Sequence, residues 1–375
     1  MRILILGAGM MARGAVFDLL RNRAVESIAV ADSSTEALRH LVSRFHDDRV
    51  RPVSFDAHNR QRVDELMRDA DGAFCAVHYG FNAAFTDAAI AAGTHMVDLG
   101  GNNDIVNAQL ARNNDAQATN ITIIPDCGLA PGMASVLVAW GLKRFAWADS
   151  VKIRVGGLPA NPKEPFSYER LFSVEGLINE YVEPPVMLRD GRIVTGEPLG
   201  DLETCEFDQP VGLLEAFNTS GGTSTLPQTY GRRLKNLDYK TLRYPGHAGA
   251  MRWLMHLGLF SSDSVTIDGH PVIPRRLTAH QIAARVPIGE QDRTVVRVEF
   301  SGAGKTHRLD IIDECDPSNG LTSMMRMTAF PASIILQMIC DGRITTRGVV
   351  PQETAVDPDA FVAELTQREI DIRGV

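Results

Sequence analysis

The first residues able to do chemistry come within the opening dozen. Gly7-Ala8-Gly9-Met10-Met11-Ala12 follows a short apolar run, Ile3 to Leu6, and leads into a helical pattern. This is a GxGxxA arrangement that can cradle a dinucleotide pyrophosphate. Gly7 permits the tight turn, and Gly9 has no side chain to bar the phosphates. The backbone N–H groups around Met10 and Met11 stand at the positive end of the helix, and Ala12 keeps helix and strand close. The motif alone is weak. It gains force from an acidic residue about 20 positions on, at the end of the second strand, the place taken by Asp32. Asp32 is expected to accept hydrogen bonds from the adenosine ribose hydroxyls and to repel the 2′-phosphate of NADP. Ser33 and Ser34 bring no cation to offset that repulsion, so NAD is the expected cofactor, although Arg13 on the first helix could reach toward a phosphate. The plainer alternative for Asp32 is a cap on the helix from Thr35. Asp56, ending the third strand, either meets the adenine amino group or sits in a solvated turn.

Ligands of open α/β sheets bind beyond the carboxyl ends of the strands. That rule singles out His78 and Tyr79 after the fourth strand, Asp98 to Asn103 after the fifth, and Asp126 and Cys127 after the sixth. Three successive strand ends thus deliver polar groups where a nicotinamide must lie. Each has a plainer explanation too: Asn102 or Asn103 as a helix cap, Asp98 as an acceptor for loop amides, Cys127 as a small buried apolar residue.

The elements that must position these groups are legible as short apolar runs alternating with helical patterns. The strands read Ile3 to Leu6, Ser27 to Ala31, Val50 to Phe55, Ala73 to Val77, His95 to Leu99 and Thr122 to Ile124. Strands joined by helical crossovers predict an α/β fold, a Rossmann doubly wound parallel sheet over residues 1–128. After Pro131 the strands are paired by turn residues, Asp190-Gly191, Asp268-Gly269 and Gly302-Ala303-Gly304, which predicts an α+β substrate-binding domain over 129–323. Its expected helices are Tyr168 to Val182 and Ala248 to Leu259. Ser323 to Gly342 reads as a helix interrupted by Pro331, and residues 324–375 are expected to pack back on the first domain.

A chain of 375 residues, 44% apolar and 22% charged, suits two folded, soluble domains. Apolar stretches such as Ile334 to Met338 are too short for a bilayer, so no membrane association is expected. A net charge of −8 argues against nucleic acid and favours a small-molecule partner. The five cysteines are scattered with no zinc spacing, so they are read as reduced cytoplasmic thiols and no metal is expected.

Three segments, His95-Met-Val-Asp98-Leu-Gly-Gly-Asn102-Asn103-Asp104, Ile124-Pro-Asp126-Cys127-Gly-Leu-Ala-Pro131-Gly132 and Tyr239-Lys-Thr-Leu-Arg243-Tyr-Pro-Gly246-His247, resemble the saccharopine dehydrogenase superfamily. Within it the chain looks most similar to lysine 6-dehydrogenases, which oxidise the side-chain amine of L-lysine with NAD to 2-aminoadipate 6-semialdehyde and ammonia. The resemblance runs along the whole chain and implies an amino-acid substrate and a homodimer. Saccharopine reductases of the same superfamily usually have a longer substrate domain and often use NADP, and the chain departs from them on both counts.

On this reading the second domain recognises the non-reacting end of the substrate, and Arg243 is chosen to hold its carboxylate through two parallel hydrogen bonds. A surface arginine on an edge strand is the alternative, with Arg154, Arg232 and Arg233 in reserve. Thr219 to Ser224 reads as a flexible loop ahead of a substrate-binding one. A lysine amine, with a pKa near ~10.4, must lose a proton before hydride can leave its carbon. Candidates for the base are His78, Asp98, Asp126 and His247. Competing readings are a saccharopine- or opine-type imine-reducing dehydrogenase, a noncatalytic NAD-binding sensor, and a methyltransferase.

Overall fold

The computed structural model describes residues 1–164 and 166–375. It divides into two units, Met1–Arg144 with Met325–Ile370, and Phe145–Met324 with Asp371–Val375.

The first unit alternates β1 (Arg2–Leu6), α1 (Met10–Leu20), β2 (Ser27–Asp32), α2 (Thr35–Val42), β3 (Val50–Ser54), α3 (Arg60–Arg68), β4 (Gly72–Cys75), α4 (Asn82–Ala92), β5 (His95–Asp98), α5 (Asn103–Leu110), α6 (Asn113–Ala118), β6 (Thr122–Ile124) and α7 (Ala134–Arg144). The sheet runs in the order β6-β5-β4-β1-β2-β3, and a seventh short strand, Gly348–Val349, lies beside β6. Every pairing is parallel. Parallel strands are covered on both faces, and Ile3 to Leu6 are accordingly all buried.

The boundary expected after residue 128 falls after Arg144 instead. The cause is α7, which is buried from Ala134 to Leu142, packs against the helices Gln352–Ala355 and Pro358–Gln367, and binds Asp359 through Lys143 at 2.7 Å.

Helix Ser323–Cys340 also corrects the sequence reading. It passes through Pro331 unbroken, because the lost backbone rung is outweighed by burial of Phe330 and Ala332 on either side. Its 18 residues average a hydropathy of 1.2, long and apolar enough to cross a bilayer, contrary to the expectation from shorter runs. It is 89% buried within the protein, as a core helix would be. Gln337 on this helix and Arg368 both donate to the buried Asp18 of α1, at 3.0 and 2.6 Å.

The second unit contains β7 (Ser150–Pro159), α8 (Val174–Val182), β8 (Val186–Arg189), β9 (Arg192–Thr195), β10 (Glu203–Phe207), β11 (Gly212–Asn218), α9 (Leu226–Tyr230), β12 (Asn236–Arg243), α10 (His247–His256), β13 (Val265–Ile267), β14 (His270–Val272), α11 (Pro274–Arg285), β15 (Asp292–Gly302) and β16 (Lys305–Glu314). Its mixed sheet runs β10-β11-β12-β7-β15-β16, with the β8–β9 hairpin attached to β12. Asp190 and Gly191 have φ of 49° and 73°, and Asp268 and Gly269 have 50° and 80°, so both dipeptides make tight hairpin turns.

The helix expected from Tyr168 begins only at Val174, where the Ser173 hydroxyl accepts the Gly176 amide at 3.1 Å. The helix expected over Ala248 to Leu259 spans His247–His256. β12 is an interior strand, and it ends on Arg243.

Candidate functional site

At the nucleotide end of the first unit, the geometry suits a dinucleotide. Gly7 has φ of 106°, and a Cβ there would stand 2.8 Å from the Ala76 carbonyl oxygen, so the turn requires glycine. Gly9 is exposed, and a Cβ on it would meet nothing within 4 Å, so open space lies where phosphates approach. It caps α1 with no side-chain hydrogen bond, leaving the first helical amides, near Met10 and Met11, for an anion. Asp32 reaches back to this turn: Oδ2 accepts the Ala8 amide and Oδ1 the Ser34 amide, each at 2.8 Å. The cap of α2 is Ser34, not Asp32. Ser33 is exposed beside it. Asp56 departs from its adenine reading. Its Oδ1 accepts both the backbone amide and the ring Nδ1 of His58, at 2.9 and 3.0 Å, in an exposed turn that holds the carboxyl below its usual range.

At the ends of β4, β5 and β6 the structure gathers most of the nominated groups. His78 is exposed; its Nδ1 accepts the Gly80 amide at 3.1 Å, and its ring leans on Tyr79, centroids 4.2 Å apart. The loop after β5 passes against Tyr79, since a Cβ on Gly101 would come within 2.9 Å of that ring. Asp98 is fully buried. Its Oδ1 accepts the amides of Gly100 at 2.8 Å and Asp126 at 3.2 Å, and Oδ2 accepts Gln109 Nε2 at 2.7 Å. Burial lifts its pKa above the usual carboxylate value, and those hydrogen bonds oppose the lift. Asp98 therefore ties the loops together, and its nomination as a proton acceptor is corrected.

Asp126 packs tightly over Gly100, whose φ is 71° and where a Cβ would collide with Asp126 Oδ1 at 1.6 Å. Cys127 is wholly buried and donates to the Ile124 carbonyl, and burial raises its thiol pKa well above the ordinary value. It is an inert thiol, not a reacting one. Asn102 caps α5, accepting the amides of Asp104 and Ile105 at 3.0 and 3.1 Å.

In the second unit, buried groups cluster around Arg243. This residue is 3% exposed, which overturns the surface-arginine alternative. Its guanidinium donates to the carbonyls of Leu242 at 2.9 Å and Gly157 at 3.5 Å, and lies 5.3 Å from the ring centroid of Tyr168. Nε has no hydrogen-bond partner, and among the described residues no carboxylate pairs with it. His247 is neutral: burial, then the neighbouring Arg243 charge, push it down to about 3. Its Nδ1 donates to the Phe166 carbonyl at 3.3 Å and its Nε2 accepts the Tyr181 hydroxyl at 2.9 Å. Both ring nitrogens are thus engaged, and the general-base reading of His247 is corrected. Arg154 is held by Glu203 and Asp238, both at 2.6 Å, and Arg232 and Arg233 are exposed. The segment from Thr219 is not a loose surface loop. Thr219, Ser220, Thr223 and Ser224 are buried, and Thr219 shares a 2.7 Å hydrogen bond with Thr241.

With this geometry established, residues 3–124 match the saccharopine dehydrogenase NADP binding domain and residues 128–370 the saccharopine dehydrogenase C-terminal domain. The chain belongs to the saccharopine dehydrogenase family. Its relatives include mitochondrial alpha-aminoadipic semialdehyde synthase of Bos taurus, 23% identical over 93% of this chain and 45% of that protein. Saccharopine dehydrogenase [NADP(+), L-glutamate-forming] of Pyricularia oryzae is 23% identical over 77% of this chain and 64% of its own length. The chain thus spans less than two thirds of either relative. The Schizosaccharomyces pombe protein of the same name is 21% identical, with 93% of each chain covered. Apo saccharopine dehydrogenase (L-Glu forming) from Saccharomyces cerevisiae shares the fold, with a TM-score of 0.78 at 17% identity over 100% and 99% of the two chains.

In this saccharopine dehydrogenase family member, sequence reasoning missed Tyr168, Glu180, Tyr181 and Tyr239. One signal was available: Tyr239, Thr241 and Arg243 alternate along β12, so they share one face of the sheet. The others come from α8 and from the irregular chain before it, and only long-range packing brings Tyr168 to Arg243 and Tyr181 to His247.

Proposed function

We propose that the protein oxidises the side-chain amine of L-lysine with NAD, giving 2-aminoadipate 6-semialdehyde and ammonia. The observation that supports this most is Arg243, a buried guanidinium with no carboxylate of its own, suited to a substrate with one free carboxylate. Saccharopine carries additional carboxylates and calls for more than one such cation, and Arg154 is already spent on Glu203 and Asp238.

The first unit's residues fit the cofactor: Gly7, Gly9 and the first amides of α1 would hold the pyrophosphate, and Asp32 the adenosine ribose. When bound, the nicotinamide supplies a hydride acceptor for the carbon that carries the reacting nitrogen. The chain must take a proton from the amine and steady the positive charge that develops there. Of the four candidate bases, Asp98 and His247 are committed to internal hydrogen bonds. Our reading retains His78 and Asp126 for their position at the ends of β4 and β6, where the nicotinamide is expected, and not for any lack of partners. Asn102 caps α5 at the end of the loop after β5, and Tyr79 packs against that loop.

A saccharopine-type reaction with NADP is the second reading, favoured by the names of the relatives. Assaying reduced-nucleotide formation with L-lysine and with L-saccharopine, each with NAD and NADP, separates the two. Turnover of saccharopine without turnover of lysine would overturn the first.

A further inference from the structure

We infer that Glu215 is a positioning residue for Arg243: its carboxylate is engaged by the turn that follows β12, and the guanidinium beside it is thereby left for a substrate carboxylate. This rests on the proposed carboxylate-binding role of Arg243 and names the residue that keeps the guanidinium free for it.

β11 and β12 run antiparallel with Glu215 and Arg243 as direct partners, so the two side chains rise from the same face of the sheet on neighbouring strands. Both are buried, at 7% and 3% exposed. Opposite charges in such a register attract, and burial strengthens the attraction. Even so, no ion pair joins them among the described residues. Each turns to the backbone instead. Arg243 donates to the carbonyls of Leu242 and Gly157, at 2.9 and 3.5 Å. Glu215 accepts the Gly246 amide through Oε2 at 3.0 Å and the Ala248 amide through Oε1 at 2.5 Å.

Those two amides open α10, and the first amides of a helix have no partner within it. Gly246 stands at the cap with φ of 98°, a conformation that favours glycine, and it brings no side chain to the amides that follow. A carboxylate from the neighbouring strand supplies the missing cap, at the positive end of the helix. Its two hydrogen bonds bracket His247, whose Nδ1 donates to the Phe166 carbonyl at 3.3 Å and whose Nε2 accepts the Tyr181 hydroxyl at 2.9 Å. The Tyr168 ring in turn lies 5.1 Å from the His247 ring and 5.3 Å from the Arg243 guanidinium. The turn that Glu215 holds, three residues beyond Arg243, is therefore the one against which the aromatic neighbours of Arg243 are set.

Side-chain length separates this role from simple capping. An aspartate at 215 keeps the charge but lacks one methylene, so it cannot hold both amides. Its carboxylate then stands beside Arg243 in register and competes with that of a ligand. A glutamine keeps the length and one acceptor oxygen and carries no charge that could pair with the guanidinium. If Glu215 only capped α10, aspartate would be the better replacement, because it keeps an anion at the helix N-terminus. As a positioning residue for Arg243, it is better replaced by glutamine.

The test is calorimetric titration of the full chain, Glu215→Gln and Glu215→Asp with L-lysine, with L-saccharopine, and with cadaverine, which lacks the carboxylate. Glu215→Gln should weaken L-lysine by no more than about threefold and Glu215→Asp by at least about tenfold, with cadaverine and nucleotide affinity little changed. In an Arg243→Gln background Glu215→Asp should cost L-lysine nothing further, since the group it acts through is gone. Aspartate equal to or better than glutamine overturns the inference, as does equal weakening of L-lysine and cadaverine. Failure of both variants to fold and bind nucleotide would make the carboxylate part of the fold alone, and overturns it too. If Arg243→Gln weakens L-lysine and Glu215→Asp does not, only the Glu215 assignment falls; if Arg243→Gln leaves it unchanged, the proposed role of Arg243 falls as well. If L-saccharopine binds in place of L-lysine with the same order of variants, the lysine reading falls while the Glu215 assignment stands. Binding of neither amino acid overturns both.

Discussion

The Asp32 carboxylate accepts the backbone amide of Ala8 at 2.8 Å, so the residue expected to meet the ribose also holds the glycine turn beneath the pyrophosphate. Replacing Asp32 with Ala and Ser33 with Arg should therefore weaken NAD for two reasons, loss of ribose contacts and a looser turn, while admitting NADP. A tenfold or larger rise in the KM for NAD, with measurable NADP turnover, is the expected result in steady-state assays. A parent enzyme that already uses NADP as well as NAD would show that Asp32 does not select the cofactor.

The proposed reaction needs an unprotonated amine, and a free lysine side chain has a pKa of about 10.4. Activity with L-lysine and NAD should rise from neutral toward alkaline pH, roughly tenfold per unit at first if the free amine is the reacting form. The product aldehyde, which cyclises, can be trapped with an aromatic amine. A flat profile between pH 7 and 9 would mean that proton removal does not limit the rate.

Glu180 should weaken the unliganded fold as pH rises. Its folded pKa, about 7, lies above the ordinary 4.5, so between those values the unfolded chain gives up a proton that the folded chain retains. Stability contributed by the protonated form is complete below about 4.5 and lost as pH climbs through 7, a change of at most about 3 kcal/mol. Glu180→Gln removes this dependence. Its thermal midpoint should pull ahead of the wild type between pH 5 and 8. Parallel midpoints across that range would place the carboxyl in ordinary solvent.

The parts legible in the sequence were those encoded locally. Gly7, Gly9 and Asp32 are readable because turn geometry and a fixed strand-to-strand distance impose their types, and the six strands because a parallel sheet demands short apolar runs. What became of the polar groups was not legible. Asp98 and Cys127 stand where the rule for strand ends puts them. Only the packed structure reveals that Gln109 and two loop amides occupy Asp98, and that Cys127 has no access to solvent. Arg243 could be named by type, but its burial depends on β12 being interior, which follows from strand order. Tyr168 meets Arg243, and Tyr181 meets His247, across more than fifty residues of chain, a distance no spacing rule covers. Pro331 misled for a related reason, since burial on both sides sustains a helix that local propensity would end.

Arg243 offers the sharpest test of substrate recognition. A desolvated, charge-assisted pair typically loses about 2 to 5 kcal/mol when one partner is removed, and each 1.4 kcal/mol is about tenfold in kcat/KM. Arg243→Ala should therefore fall at least tens-fold with L-lysine. Cadaverine, the same chain without the carboxylate, should lose far less, because it never engages the guanidinium. Arg243→Gln keeps more of the buried volume than Ala and limits repacking, and it should show the same contrast. Arg243→Lys should not restore activity, since an ammonium lacks the planar fork that grips two carboxylate oxygens and stacks on Tyr168. Nucleotide affinity, a property of the first unit, serves as the control for folding. If lysine and cadaverine decline equally while NAD still binds, the guanidinium only keeps Tyr168 and the Leu242 carbonyl in place, and the carboxylate is read elsewhere.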